Sequence, residues 1–281
     1  MKVEILSENR TNHPECLAEH GLSVYIEIGD IKILFDLGAS DLYQQNAKRM
    51  KVDLEKVDTV VISHGHYDHT GGIPSFCELN KKAKIYIHEK AFVTTYGMEN
   101  GKLDEEPCSI HWTKQQHEQV RDRLILTKGV TWLTEDIVVS GTIPKIEDSI
   151  PTETFYLKNE DGSLTIDSME HEQFLAIRVP DRKGNSRGFF LFSGCSHNGV
   201  IPCLRYAKAL FPGERVLGIL AGMHLYNANS ETSNMILGQV AAEDMSYILP
   251  VHCTGILAIC DLRQLMGERC IPAGAGDKYN F

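Results

Sequence analysis

The stretch "VDTVVIS" (57–63) runs straight into "HGHYDHTGG" (64–72), and this junction constrains the fold more than any other feature of the chain. A β-branched run bounded by polar residues suits a strand buried on both faces, and such a strand requires a sheet with a covering layer on each side. The loop leaving its C-terminal end then carries His64, His66, Asp68 and His69 within six positions. Imidazole and carboxylate are the side chains that hold zinc, manganese or iron at neutral pH. Three imidazoles so close would repel one another if protonated, and a metal ion removes that conflict.

The remaining pattern supplies the sheet. Residues 2–6, 22–28 and 31–35 read as an antiparallel meander, the last two runs joined at Gly29-Asp30, and "LYQQNAKRM" reads as a short helix. "KIYIHE" resembles the next strand of the same sheet. From about 90 to 165 the periodicity weakens around "ENGKLDEEPCSIHWTKQQHEQVRDR", which reads as an insertion that caps a cleft, with Tyr96, His111 and Trp112 as its covering side chains. Pattern returns in the hairpin "FLAIRV" and "GFFLFSG". Three strand-then-helix units follow, and each strand ends in a histidine-bearing loop, at His197, His224 and His252. Ligands in sheet-and-helix proteins bind beyond the carboxyl ends of strands, so these loops and the first are expected to converge on one site. Histidines 13, 20, 88, 111 and 117 are read as ordinary packed or surface residues.

Composition excludes several function classes. At 281 residues, with hydrophobic and charged fractions of 42% and 23%, the chain is an ordinary globular sequence rather than a disordered or fibrous one. A net charge of −10 without any basic run argues against a nucleic-acid partner. No signal-like start and no apolar run of about 18 residues are found, so a cytoplasmic protein away from membranes is expected. The eight cysteines form no C-x-x-C pair and read as reduced thiols.

At this point the chain resembles the metallo-β-lactamase superfamily, on "HGHYDH" at 64–69, which fits the pattern His-x-His-x-Asp-His, and on Asp36 in "LFDLGAS". A narrower resemblance, over nearly the whole chain, rests on "EHGLSVYIE", "NAKRMKVDLEKVDTVVISHGHYDHTGG", "SGCSHNG" and "PVHCTG". These are similar to the branch named for 7,8-dihydropterin-6-methyl-4-(β-D-ribofuranosyl)aminobenzene-5'-phosphate synthase. The resemblance implies an α/β fold, a four-layer αβ/βα sandwich of two mixed sheets with helices on the outer faces, formed as one domain over 1–281. It implies two divalent metal ions, zinc favoured over manganese or iron. His64 and His66 would bind the first, Asp68, His69 and His252 the second, while Asp36 would orient the ligand loop. Cys195 stands where many members carry a bridging aspartate. Either Cys195 is a thiolate ligand, or it packs and His197 takes over, and the second reading is preferred. His171, at a spacing close to a third histidine of the superfamily, is left open as a ligand.

The chemistry implied is hydrolysis by a metal-bound hydroxide, with Asp68 also accepting a proton and His224 contacting a substrate phosphate or protonating a leaving group. Backbone N–H groups near Ser196 and Asn198, ahead of a helix, offer a second phosphate contact. The substrate would be a small anionic molecule, a phosphodiester or phosphate-bearing compound ahead of a lactone or thioester. Two other readings stand beside this one: a synthase-type transferase acting on a pterin, and a metal-binding sensor without turnover. A homo-oligomer is left open.

Overall fold

The β-branched run forms the strand Thr59–Val61, held between the parallel strands Ile31–Phe35 and Lys84–His88. The computed structural model describes all residues except 100, 147–151 and 182. Side chains alternate across a strand. Val60 therefore points into a helix-covered layer with Tyr43, Ala47 and Phe76, while Val61 points the other way, at Phe35, Phe190 and Phe192.

That second face is an interface between two sheets. The first sheet has seven strands in the order Lys278–Asn280, Lys2–Ser7, Ser23–Ile28, Ile31–Phe35, Thr59–Val61, Lys84–His88 and Leu124–Thr127. Its pairs are antiparallel as far as Ile31–Phe35 and parallel beyond. The second has six strands, ordered Thr131–Trp132, Ile137–Val139, Leu175–Pro180, Ser186–Ser193, Val216–Ala221 and Met245–Pro250, and its last three run parallel. Helices Leu42–Met50 and Ile73–Leu79 pack outside the first sheet, and helices Val200–Leu210, Ser230–Ala242 and Ile256–Met266 outside the second. This is the expected four-layer αβ/βα sandwich. Burying a phenylalanine such as Phe190 or Phe192 contributes roughly 1.5–3 kcal/mol. A surface ion pair contributes ~1 kcal/mol or less, so the apolar inner faces hold the layers together.

Register sets where the loops begin. Ser193, Ala221 and Pro250 are paired across neighbouring parallel strands, and Phe35 pairs with Val61, so the loops leave each sheet level with one another. Just beyond these ends, Asp36 (φ 57°), Ser196 (54°), His224 (50°) and His252 (53°) adopt the left-handed conformation. Each costs of order 1–3 kcal/mol for a residue with a Cβ and persists only where neighbours hold it. All four surround the histidine cluster.

The interval 90–165 is not one insertion. Leu124–Thr127 closes the first sheet, and Thr131–Trp132 and Ile137–Val139 close one edge of the second. These strands are short, and Leu126 and Trp132 are exposed on them, which is why the sequence pattern fades there. Trp112, expected to cover the cleft, is buried in the outer core of the first sheet, and its indole N–H donates to the Thr70 carbonyl (3.0 Å). The parts outside both sheets are a small antiparallel unit, Thr95–Tyr96 with Tyr156–Lys158 and Leu164–Ile166, and the hairpin Met98–Glu99 and Lys102–Leu103. Residues 100 and 147–151 of the interval lie outside the described residues. No described helix is long and apolar enough to cross a membrane.

Candidate metal centre

The ligand loop is organised by Asp36, which is fully buried. Its carboxylate accepts from the Ser63 N–H (2.7 Å), the Ser63 hydroxyl (2.7 Å) and His69 Nδ1 (2.6 Å). Having given its proton to Asp36, the Ser63 hydroxyl can only accept from His64 Nδ1, 2.8 Å away. Both histidines thereby carry a proton on Nδ1 and turn Nε2 inward, as a free lone pair in His64 and, in the metal-free protein, as an N–H that a cation would displace in His69. Between them Gly65 is forced, since a Cβ there would lie 2.1 Å from the Ala91 carbonyl oxygen. This close approach lets the His64 and His66 rings sit 4.5 Å apart.

Two groups of buried donors follow. The ligand atoms of His64, Cys195 and His197 lie within 4.8 Å of one another, and so do those of His69, Cys195 and His252. His64 Nε2 is 3.3 Å from His197 Nε2, and His69 Nε2 is 3.2 Å from Cys195 Sγ. Asp68 Oδ2 stands 3.0 Å from His252 Nε2 and 3.7 Å from His69 Nε2. For metal–nitrogen bonds of about 2.0–2.1 Å, a tetrahedral site has nitrogen–nitrogen edges of roughly 3.3 Å. Buried His66 Nε2 and His252 Nε2 have no hydrogen-bond partner among the described residues, as donors awaiting a cation would. The residues present fit a divalent ion.

Electrostatics agree with that fit. Burial, reinforced by the neighbouring histidines, pushes His64 and His197 well below the usual imidazole range. Burial likewise pushes His66 down to about 3. All three imidazoles are therefore neutral and ready to coordinate. Burial would also depress His69, but Asp68 and Asp36 outweigh it and raise the imidazole to about 9. Burial would raise Asp68, yet His69, His20 and His252 hold it well below the carboxylate range. Burial holds the Cys195 thiol well up, so only a bound cation would make it a thiolate.

The structure brings His64, Asp68, His69, His197 and His252 together, sets the His66 ring 4.5 Å from that of His64 and 4.9 Å from that of His197, and adds Cys195, which touches both groups rather than packing away from them. His224 lies at the rim: its ring is 4.7 Å from that of His197, and its Nε2 contacts Glu153. It also forms a buried group with Cys195 and Cys253. His171 is close but spoken for, with Nδ1 accepting from the Gly65 N–H (3.2 Å) and Nε2 facing Asp167 (3.3 Å). It shapes the loop instead of offering a lone pair to a metal. Of the backbone N–H groups near Ser196 and Asn198, those of His197 and Asn198 are already taken, donating to buried Glu172 at 2.6 and 2.7 Å.

Several neighbours were not legible beforehand. Glu172 is one. His20, set aside as ordinary, places Nε2 3.1 Å from Asp68 Oδ2. Phe155 lays its ring 4.7 Å from His66 and 4.9 Å from His197. Glu8 accepts from the His252 N–H (2.6 Å) and so holds that left-handed residue. The one available signal was the histidine within "EHGLSVYIE".

Comparisons with known proteins agree with this fold. A family model described as the Metallo-beta-lactamase superfamily matches residues 18–145. An uncharacterized protein of Methanocaldococcus jannaschii is 32% identical over 265 residues, 94% of each chain. From the same organism, 7,8-dihydropterin-6-methyl-4-(beta-D-ribofuranosyl)-aminobenzene-5'-phosphate synthase is 28% identical, covering 92% of this chain and 89% of its own. Among solved structures, Tm1679, described as a metal-dependent hydrolase of the beta-lactamase superfamily, superposes with a TM-score of 0.80 at 24% identity, over 100% of this chain and 99% of that one.

Proposed function

Since the chain belongs to the metallo-β-lactamase superfamily, we propose that it is a metal-dependent hydrolase holding two divalent ions, zinc in preference to manganese or iron. The observation that carries this reading is two of the three buried donor groups that share Cys195, His64/Cys195/His197 and His69/Cys195/His252, which draw on the His64–His69 loop. His64, His66, His197 and Cys195 would hold the first ion, and Asp68, His69, His252 and Cys195 the second. Bound there, the ions would generate a nucleophile from water at neutral pH and polarise a carbonyl or phosphoryl oxygen.

The chain's own groups account for the rest. Asp36 and Ser63 fix the His64 and His69 tautomers, and Glu172 fixes the loop that presents His197. The Asp68 carboxylate, held ionised, is positioned to accept a proton from attacking water. Exposed Lys145 lines a cavity shared with His197, Asn198, Phe155 and the carboxylates Glu153 and Asp167, so its lining does not select an anion by charge, and the preference for a small anionic substrate, a phosphodiester or phosphate-bearing compound ahead of a lactone or thioester, rests on the two ions. His224, facing Glu153, is placed to protonate a leaving group. A synthase-type transfer is the second reading. It is supported by the named relative and by the aromatic wall of Phe155, which suits a flat ring. Assaying the zinc-loaded protein against phosphodiesters, phosphomonoesters, lactones, thioesters and a pterin pyrophosphate donor tests both. Hydrolysis of at least one ester class above the metal-free background supports the first reading, and pterin transfer alone overturns it.

A further inference from the structure

Asn9 and His20 lie outside the two groups that share Cys195, yet they touch the second, and the ligand atoms of His20, Asp68 and His252 also lie within 4.8 Å of one another. His20 Nε2 stands 3.1 Å from Asp68 Oδ2, and His252 Nε2 stands 3.0 Å from the same oxygen. By distance alone the two imidazoles are equivalent, and either could be a ligand. The side chain of Asn9 lies between their outer nitrogens and distinguishes them. Its Oδ1 is 2.7 Å from His252 Nδ1, and its Nδ2 is 3.2 Å from His20 Nδ1.

An amide oxygen accepts and an amide nitrogen donates. His252 must therefore carry its proton on Nδ1, leaving the Nε2 lone pair facing Asp68. His20 must have its lone pair on Nδ1, leaving Nε2 protonated and donating to Asp68. The amide orientation is itself fixed, because Oδ1 also accepts from the Gly21 N–H at 3.4 Å. Turned over, the amide would set an NH2 against that N–H, and a neutral His20 would aim a lone pair at the Asp68 carboxylate. In the orientation found, His20 carries its proton on Nε2, 3.1 Å from Asp68 Oδ2, and donates it to that carboxylate. His252 and Asp68 instead present two acceptors to each other, a contact that a cation relieves, and His252 Nε2 is a buried atom without a hydrogen-bond partner. Exposure sorts them in the same way, with 52% of the His20 side chain exposed and none of the His252 side chain.

We propose that Asn9 sorts the two histidines into a metal ligand, His252, and a positioning residue, His20, which donates to Asp68 and aims it at the second ion. The neighbours of Asn9 hold it in place for this task. Glu8 accepts from the His252 N–H at 2.6 Å, and Arg10 donates to the Pro250 carbonyl at 3.4 Å, tying the end of the first strand to the His252 loop, and to the Ala273 carbonyl at 2.7 Å in the C-terminal stretch. The proposal deepens the two-ion reading and rests on it.

The test is zinc affinity, measured by competition with a chromophoric chelator on the full-length chain, with the fold of each metal-free variant checked by circular dichroism. Outer hydrogen-bond partners of metal ligands are worth about 10–100-fold in affinity. His20→Ala should weaken the second zinc equivalent by that factor and leave the first unchanged. His20→Gln retains an N–H near the Nε2 position and is a poor ligand, so it should stay within about threefold of the wild type. Asn9→Leu, similar in shape but unable to sort either ring, should weaken the second equivalent at least as much as His20→Ala. Equal losses in His20→Gln and His20→Ala would make the imidazole itself a ligand and overturn the proposal, as would wild-type affinity in His20→Ala or Asn9→Leu. A wild-type chain without a second tight equivalent overturns the two-ion reading as well, which separates that failure from this one.

Discussion

The sulfur of Cys195 lies 3.2 Å from Nε2 of His69 and within 4.8 Å of the ligand atoms of His64 and His197, so one side chain belongs to both halves of the centre. Replacing it should therefore disturb both ions, whereas His197 serves only the first. Cys195→Ala is expected to weaken both zinc equivalents by about tenfold or more, and His197→Ala to lose one. Titration with zinc against a chelator distinguishes them. Unchanged affinity at both steps in Cys195→Ala would make the sulfur a packing group.

Glu172 is a fully buried carboxylate that accepts from the His197 N–H, the Asn198 N–H and the Asn198 side-chain amide. Glu172→Gln keeps the shape but turns an NH2 toward donors. Losing a charge-assisted bond and stranding a buried N–H should cost about 2–3 kcal/mol. Urea unfolding of the metal-free protein measures it. A loss below about 0.5 kcal/mol would mean that this carboxylate does not hold the His197 loop.

Acid should destabilise the metal-free protein earlier than carboxylate chemistry alone would. His64, His66 and His197 are depressed by burial and by one another, His66 to about 3. Between the ordinary imidazole value near 6.5 and the folded values, the unfolded chain binds protons that the folded chain refuses. Stability present above pH ~6.5 is thus lost as pH falls, by up to about 1.4 kcal/mol per unit for each imidazole. Glu8 and Glu172, raised by burial, and His20, raised chiefly by its contact with Asp68, act in the opposite sense, while His88, also lowered by burial, adds to the three. His69 and His224, raised to about 9 and about 10, are already protonated in the folded state and oppose the loss only weakly, while the unfolded imidazole finishes titrating below ~6.5. Thermal melts of chelator-treated protein should show a falling Tm from pH 6.5 to 5.5, and a flat or rising Tm would contradict this.

Substrate choice should reside in Phe155, whose ring faces His66, His197 and His224. Phe155→Ala should preserve zinc content and change the ratio of kcat/KM between preferred and generic substrates by tenfold or more, about 1.4 kcal/mol. An unchanged ranking would remove residues 152–155 from the cleft's function.

Much of this was legible because period-two and strand–helix patterns are local. The meander, the helix Leu42–Met50 and the three strand-then-helix units lie where hydrophobic alternation places them, and the histidines follow from strand ends. What escaped was set by contacts distant in sequence. Trp112 reads as a cover until its indole N–H is found on Thr70. Glu172 looks like any surface glutamate until the chain folds it under His197. Spacing leaves His171 open as a ligand, since it cannot reveal that the Gly65 N–H occupies its lone pair. His20 and Asn9 are joined to His252 across more than 230 positions, a pairing that no window of sequence contains.

The most direct measurement is the metal content of the purified chain. After loading with zinc and exhaustive dialysis, elemental analysis should give two equivalents per chain for the wild type. The double variant His64→Ala, His66→Ala should retain at most one and lose its hydrolytic activity, since two of the four donors proposed for the first ion are gone. Two full equivalents in the double variant, or none in the wild type, would contradict a binuclear centre built on this loop.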